Sequence, residues 1–211
     1  MPRPPRLFLS QSYYHIIARG NNRLEIFKVK QDYQYYLDLI KRYKPYHPFD
    51  LLHYCLMPNH IHFLIKTNKA SDFSNFMKRM NLAYFYHYKK YYGWVGHLWQ
   101  DRFRSQPVGK DEYFIQCGKY IELNPVRANI VNNPEDYHWS SYNFYSKGEN
   151  DSLLTDDLFY QDLGKNNLKR QQKYSKIMID EIVLKNYPKS VWGTNYQKYH
   201  ENKKIRYNLK K

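Results

Sequence analysis

Residues 49–66, FDLLHYCLMPNHIHFLIK, constrain the fold more than any other stretch. Two apolar runs rich in Leu, Ile, Phe and Tyr flank a Pro-Asn pair, a turn signal between two strand signals. The segment reads as a β-hairpin, with strands over 49–57 and 60–66 and Pro58–Asn59 at the tip. His60 and His62 interrupt the apolar run at alternate positions. Side chains of a strand alternate between faces, so both imidazoles point one way and Ile61 the other.

The flanking pattern extends the hairpin into a domain. Residues 13–19 read as a strand that ends in the loop RGNN. Asp32 is a candidate cap for a helix marked by Tyr36, Leu39, Ile40 and Tyr43, which Pro45 and Pro48 stop. Ser71 or Asp72 opens a second helix, with a stripe of Phe73, Phe76, Met77, Met80, Ala83, Tyr84 and Tyr88 and an end at Gly93. Residues 97–108 alternate as a fourth strand, and residues 111–125 form a further helix that stops near Pro125. The first six elements give the split βαβ order, an α+β, ferredoxin-like antiparallel sheet with helices on one face. Residues 1–147 are expected to form this domain, and the acidic stretch 148–163 to connect it to a basic, partly helical tail. Weak helical character covers 165–186, and the last basic residues are expected to be mobile.

The chain has 211 residues, enough for one core and an appendage. Its apolar runs are too short to cross a bilayer, its start lacks a secretory leader, and Cys55 and Cys117 make no disulfide framework. A cytoplasmic protein with no membrane partner is expected. The net charge of +15 is uneven: residues 148–163 hold five acids and no base, whereas residues 164–211 hold 13 bases and three acids. That balance suits a polyanion, usually nucleic acid. The 24 tyrosines and 11 phenylalanines can stack on exposed bases, although a codon bias also accounts for many of them.

Two imidazoles on one strand face can share a metal ion, but they need a third ligand. They can equally be surface decoration or two separately satisfied histidines. His53 and Cys55 on the preceding strand keep a zinc site conceivable. In KYIELNPVRA, Tyr120 and Asn124 lie four apart on the expected helix, so they share a face. A phenol can attack phosphorus, and a carboxamide oxygen suits a hard divalent cation. The plainer readings are a packing tyrosine and an asparagine that ends a helix before proline.

Five stretches in order, RGNNRLEIF (19–27), MPNHIHFLI (57–65), LWQDRFRS (98–105), YIELNPVRA (120–128) and YHWSSY (137–142), resemble the REP-associated tyrosine transposases. His60-Ile61-His62 is similar to the His-hydrophobic-His motif of HUH single-strand endonucleases. The resemblance implies a ferredoxin-like catalytic domain in which His60, His62 and Asn124 bind Mg²⁺ or Mn²⁺ and Tyr120 attacks single-stranded DNA. The products it implies are a 5′-phosphotyrosine and a free 3′-hydroxyl, with strands exchanged next to a hairpin and no nucleotide cofactor. It leaves monomer and homodimer both open.

Candidate DNA contacts follow from charge and position. Arg102 and Arg104 lie two apart on the expected fourth strand, Arg19, Asn21, Asn22 and Arg23 in the first loop, and Lys119 and Arg127 around the Tyr120 helix. Solvated edge charges and a polar turn are the plainer alternatives. Trp99, Trp139 and Tyr142 can stack on bases, with core packing favoured for the tryptophans. His15 and the remaining histidines receive no role. The rival function is a DNA- or RNA-binding regulator without cleavage.

Overall fold

The computed structural model describes residues 8–68, 72–109 and 112–183. The sheet has the order β2-β3-β1-β4 and is antiparallel throughout. Its strands are β1 (Tyr13–Arg19), β2 (Phe49–Met57), β3 (His60–Thr67) and β4 (Arg104–Val108). The crossovers are α1 (Lys30–Tyr43) and α2 (Phe73–Tyr92). This is the ferredoxin-like arrangement expected from the element order.

The hairpin forms as read, with Met57 opposite His60 across Pro58–Asn59. Strand β2 carries a bulge between Leu51 and His53. The extra residue lets Leu51 pack with the α1/α2 core while Leu52 joins the opposite cluster, and His53 also bonds to groups of the opposite layer. Alternation divides the rest of the sheet. Tyr14, Ile16 and Ala18 of β1 and Ile61, Phe63 and Ile65 of β3 pack with Tyr36, Leu39 and Ile40 of α1 and Phe76, Met77, Met80 and Tyr84 of α2. Burying each such side chain contributes roughly 1.5–3 kcal/mol.

The helix ends differ in detail from the expectation. Asp32 is not the first cap of α1. It lies inside the first turn and accepts from the backbone N–H groups of Lys28 and Val29, and from the Tyr92 hydroxyl at 2.6 Å. Asp72 caps α2 by accepting from the Asn75 N–H, and Gly93 ends it in the left-handed conformation at φ 62°. Ser71 lies outside the described residues.

The opposite face is covered by α3 (Glu112–Glu122), which the split βαβ pattern does not contain. Phe114, Cys117, Tyr120 and Ile121 pack there against Tyr13, Leu52, Cys55, Met57 and Leu64. The helix breaks at Leu123, and α4 (Asn124–Arg127) starts afresh with Pro125 in its first turn. A proline has no N–H to continue the ladder, so the single helix expected over 111–125 becomes two.

The segments that follow wrap the outer side of β2. They include α5 (Tyr142–Lys147), α6 (Leu158–Asp162) and α7 (Asn167–Val183). The Tyr137 and Tyr145 hydroxyls donate to the Leu56 and Leu52 carbonyls, each at 2.6 Å, and the Thr155 N–H donates to Leu51 at 2.8 Å. The acidic stretch is thus packed: Leu154 bridges to Leu51, and the Tyr54 hydroxyl donates to Asp151. The weak helical signal beyond Lys165 becomes α7, with Met178 buried against Leu123, Tyr145 and Tyr160. The basic end, residues 184–211, lies outside the described residues.

Candidate functional site

Strand β3 is central, so its α3-facing residues lie between two neighbours. His62 sits opposite Ile17 of β1 and Cys55 of β2, and His60 opposite Arg19 and Met57. The two rings face the same layer with centroids 4.8 Å apart. The expectation that alternation would bring them together holds.

Tyr120 reaches the same place from α3. Its ring centroid is 5.7 Å from that of His62, with the planes perpendicular, and 6.0 Å from His15. The side chain is 9 % exposed and packs in the cluster of Phe114, Cys117 and Ile121. Burial pushes its pKa up; the positive charges of Arg127 and Arg19 and the neighbouring Asn124 amide pull the other way. The Arg127 guanidinium stands 5.3 Å from the ring centre.

Asn124 begins α4 and donates its amide to the Tyr120 carbonyl at 2.7 Å. That bond leaves the carboxamide oxygen as the acceptor end of the side chain. The helix break therefore keeps Asn124 beside Tyr120, although the two do not share one helix.

The histidines are arranged to stay neutral. Burial and then the charge of Arg19 bring His60 down to about 4. Burial holds His62 well below the usual imidazole range, with His60, His15 and Arg19 adding to it. Neutral imidazoles are the ligand form. His62 Nε2 is buried and has no hydrogen-bond partner. Two imidazoles and a carboxamide oxygen suit a borderline-to-hard divalent cation.

A zinc site on β2 finds no such fit. Cys55 is fully buried and burial pushes its thiol far up. His53 is engaged by two carboxylates, Glu122 at 2.9 Å and Asp157 at 3.3 Å. Among the described residues, no three His, Cys, Asp or Glu side chains are grouped to hold an ion.

The basic candidates separate into three places. Arg19, Arg102 and Arg104 line one cleft of about 180 Å³ with Ile17, Gln100 and Asp101. Strand β4 begins only at Arg104, so Arg102 is not on it; the shared cleft, not strand alternation, brings the pair together. Asn21, Asn22 and Arg23 form an exposed 3-10 turn. Asn59 Nδ2 donates to the Arg23 carbonyl, and the Gly20 N–H donates to the Asn59 carbonyl, tying this loop to the turn before His60. Lys119 is half-buried on α3 beside Tyr120, and Arg127 overlies the phenol.

The aromatic candidates are packing groups. Trp139 stacks on Tyr33 at 4.8 Å, the Trp99 indole donates to the Asn81 carbonyl, and Tyr142 is buried beside Tyr174. The group that sequence reasoning passed over is His15. It is buried on β1, with Nε2 2.9 Å from His62 Nδ1. Only the β1–β3 register reveals that neighbour.

The arrangement is a ferredoxin-like sheet with a histidine pair facing a helical tyrosine. The IS200-like transposase family model matches residues 8–124, which span all four strands, the histidine pair, Tyr120 and Asn124. The chain belongs to that family. Its fold is similar to the solved structure of a REP-associated tyrosine transposase bound to a REP hairpin, at TM-score 0.60 and 19% identity, covering 75% of this chain and 93% of that one. A second solved structure, from Deinococcus radiodurans R1 and provisionally assigned as a transposase, is 17% identical at TM-score 0.40, covering 65% and 98%. No curated protein matches the sequence. Among the described residues, no helix is long and apolar enough to cross a membrane.

Proposed function

We propose that this transposase cuts and rejoins single-stranded DNA beside a hairpin, with Tyr120 as the nucleophile. The observation that carries the reading is the perpendicular approach of the Tyr120 ring to His62, 5.7 Å away, over an imidazole nitrogen without a partner.

In this reading the Tyr120 oxygen attacks a phosphodiester, a P–O bond to tyrosine forms and the bond to the 3′-oxygen breaks. The leaving 3′-oxygen takes up a proton and the phenol gives one up to solvent. A second 3′-hydroxyl reverses the step, so the ester preserves the bond energy without a nucleotide cofactor. His60, His62 and Asn124 would hold Mg²⁺ or Mn²⁺, which when bound stabilises charge on the phosphate. Arg127 and Arg19 favour the phenolate, since their charge offsets the cost of its burial. The Arg19, Arg102 and Arg104 cleft supplies positive charge for neighbouring phosphates. The solved relative bound to a REP hairpin supports a hairpin substrate.

The test is incubation of 3′-labelled hairpin DNA with the protein and Mn²⁺. A covalent adduct that disappears in Tyr120→Phe and in His62→Ala supports the reading. Tight binding with no adduct, over varied hairpins and both metals, would show instead a regulator that binds without cutting.

A further inference from the structure

His15 and His62 are diagonal neighbours on the α3-facing side of the sheet. His62 pairs with Ile17 and His15 with Leu64, so a two-residue offset brings the rings together. The rings are close to parallel, at 24°, with centroids 5.1 Å apart. His15 Nε2 and His62 Nδ1 face each other at 2.9 Å, and both side chains are buried. This separation is a hydrogen bond, and two neutral imidazoles can place only one proton in it.

The two ways of placing that proton have different consequences. If His15 donates, His62 must carry its own proton on Nε2, which is a buried N–H with no acceptor within reach. The same proton would block a cation there. If His62 donates from Nδ1, its Nε2 keeps a lone pair. A metal-binding histidine is characteristically fixed in this manner, through the hydrogen bond made by its other nitrogen. The usual acceptor is a carboxylate or a backbone carbonyl; here the strand register offers an imidazole.

We propose that His15 is a positioning residue: it accepts the Nδ1 proton of His62 and thereby holds the His62 Nε2 lone pair available to a divalent cation. The inference rests on the metal reading given above for the histidine pair. The neighbouring backbone leaves little freedom, because both residues lie within paired strands whose register fixes their separation. His60 is fixed by a different acceptor. Its Nδ1 bonds to the Asn59 side chain at the hairpin tip, so the two members of the pair are held by different groups.

Two measurements on the full-length protein decide the matter. Long-range ¹H–¹⁵N spectra of the metal-free protein, with His62 assigned by the His62→Gln variant, read the tautomer directly. The expected result is a proton on His62 Nδ1. Mn²⁺ titration followed by electron paramagnetic resonance, without DNA, reads affinity. His15→Leu is expected to weaken binding by about 10–100-fold, and His15→Gln, which keeps an acceptor, to restore most of it. A His62 protonated on Nε2, or a folded His15→Leu protein that binds Mn²⁺ as tightly as the unaltered one, overturns the role of His15. Failure of the unaltered protein to bind Mn²⁺ overturns the metal reading instead. The spectrum of the unaltered protein decides the pairing even where the leucine variant does not fold.

Discussion

His53 Nδ1 lies 2.9 Å from Glu122 Oε1 in the protein interior, two residues past the tyrosine that faces the histidine pair. The opposite ring nitrogen meets Asp157 at 3.3 Å, and Glu122 also accepts from Ser141 and, at 2.6 Å, from the Tyr174 hydroxyl. One buried network therefore joins β2, the end of α3, the acidic segment and α7.

Removing the imidazole strands two carboxylates without their cation. His53→Leu is expected to lower stability by about 3–5 kcal/mol, as is usual for breaking a buried ion pair from one side. Urea unfolding of the variant against the unaltered protein measures this.

The same network gives an alkaline limit. Burial disfavours the charged imidazole, but the Asp157 and Glu122 carboxylates outweigh it and push His53 from 6.5 up to about 9. A folded-state pKa above the unfolded one means stabilisation that is fully present below about 6.5 and lost as pH rises through about 9. Thermal midpoints between pH 6 and 10 are expected to fall more steeply for the unaltered protein than for His53→Gln.

Gly118 lies on α3 against the same ring. A Cβ built there meets His53 Nε2 at 3.0 Å and Cε1 at 3.1 Å. The ring is held between carboxylates and cannot swing aside. Gly118→Ala is expected to destabilise by about 1–3 kcal/mol despite alanine's better helix propensity, a sign that calorimetry or denaturant unfolding reads.

Arg127 acts on the phenol through charge. Replacing it by Gln removes the larger of the two cationic influences that lower the Tyr120 pKa. Adduct formation is expected to slow at neutral pH and to recover partly as pH is raised, so the pH–rate profile moves to higher pH. A profile that only drops, without moving, would assign Arg127 to substrate binding.

Arg102 and Arg104 are exposed on the rim of the cleft they share with Arg19. If each meets one phosphate, glutamine at either position reduces the salt dependence of single-strand binding by about 0.7 of a unit of slope. Affinity measured at several salt concentrations gives that slope.

Much of this was legible in the residues. The hairpin declared itself because a Pro-Asn turn separates two strongly apolar runs, and the Phe73-to-Tyr88 stripe because helical spacing is unbroken along most of a 20-residue helix. The histidine pair was readable because strand alternation is a local rule. What escaped were relationships that need register or distant chain. His15 becomes a neighbour of His62 only through a diagonal across two strands. Asp157 meets His53 across more than a hundred residues. The fourth strand was drawn too long because 97–103 has strand-like alternation, yet Asp101 captures the Arg102 N–H and bends the chain before β4 begins. Helix α3 looked like one rod to Pro125 because a proline leaves the carbonyl four residues earlier, here that of Ile121, without its donor, so the break falls before the proline, at Leu123.

The wrapping of β2 has a further effect on how copies of the chain can meet. Tyr137, Tyr145 and the backbone of Ser141 and Thr155 occupy the carbonyls along its outer margin, and Trp139 accepts the Leu56 N–H. At the far margin, β4 offers five residues, and Pro107 among them has no N–H to give. Among the described residues the β2 border is therefore closed as a template for a foreign strand, and the β4 border is short. Two copies that associate through this domain cannot extend the sheet from its β2 side.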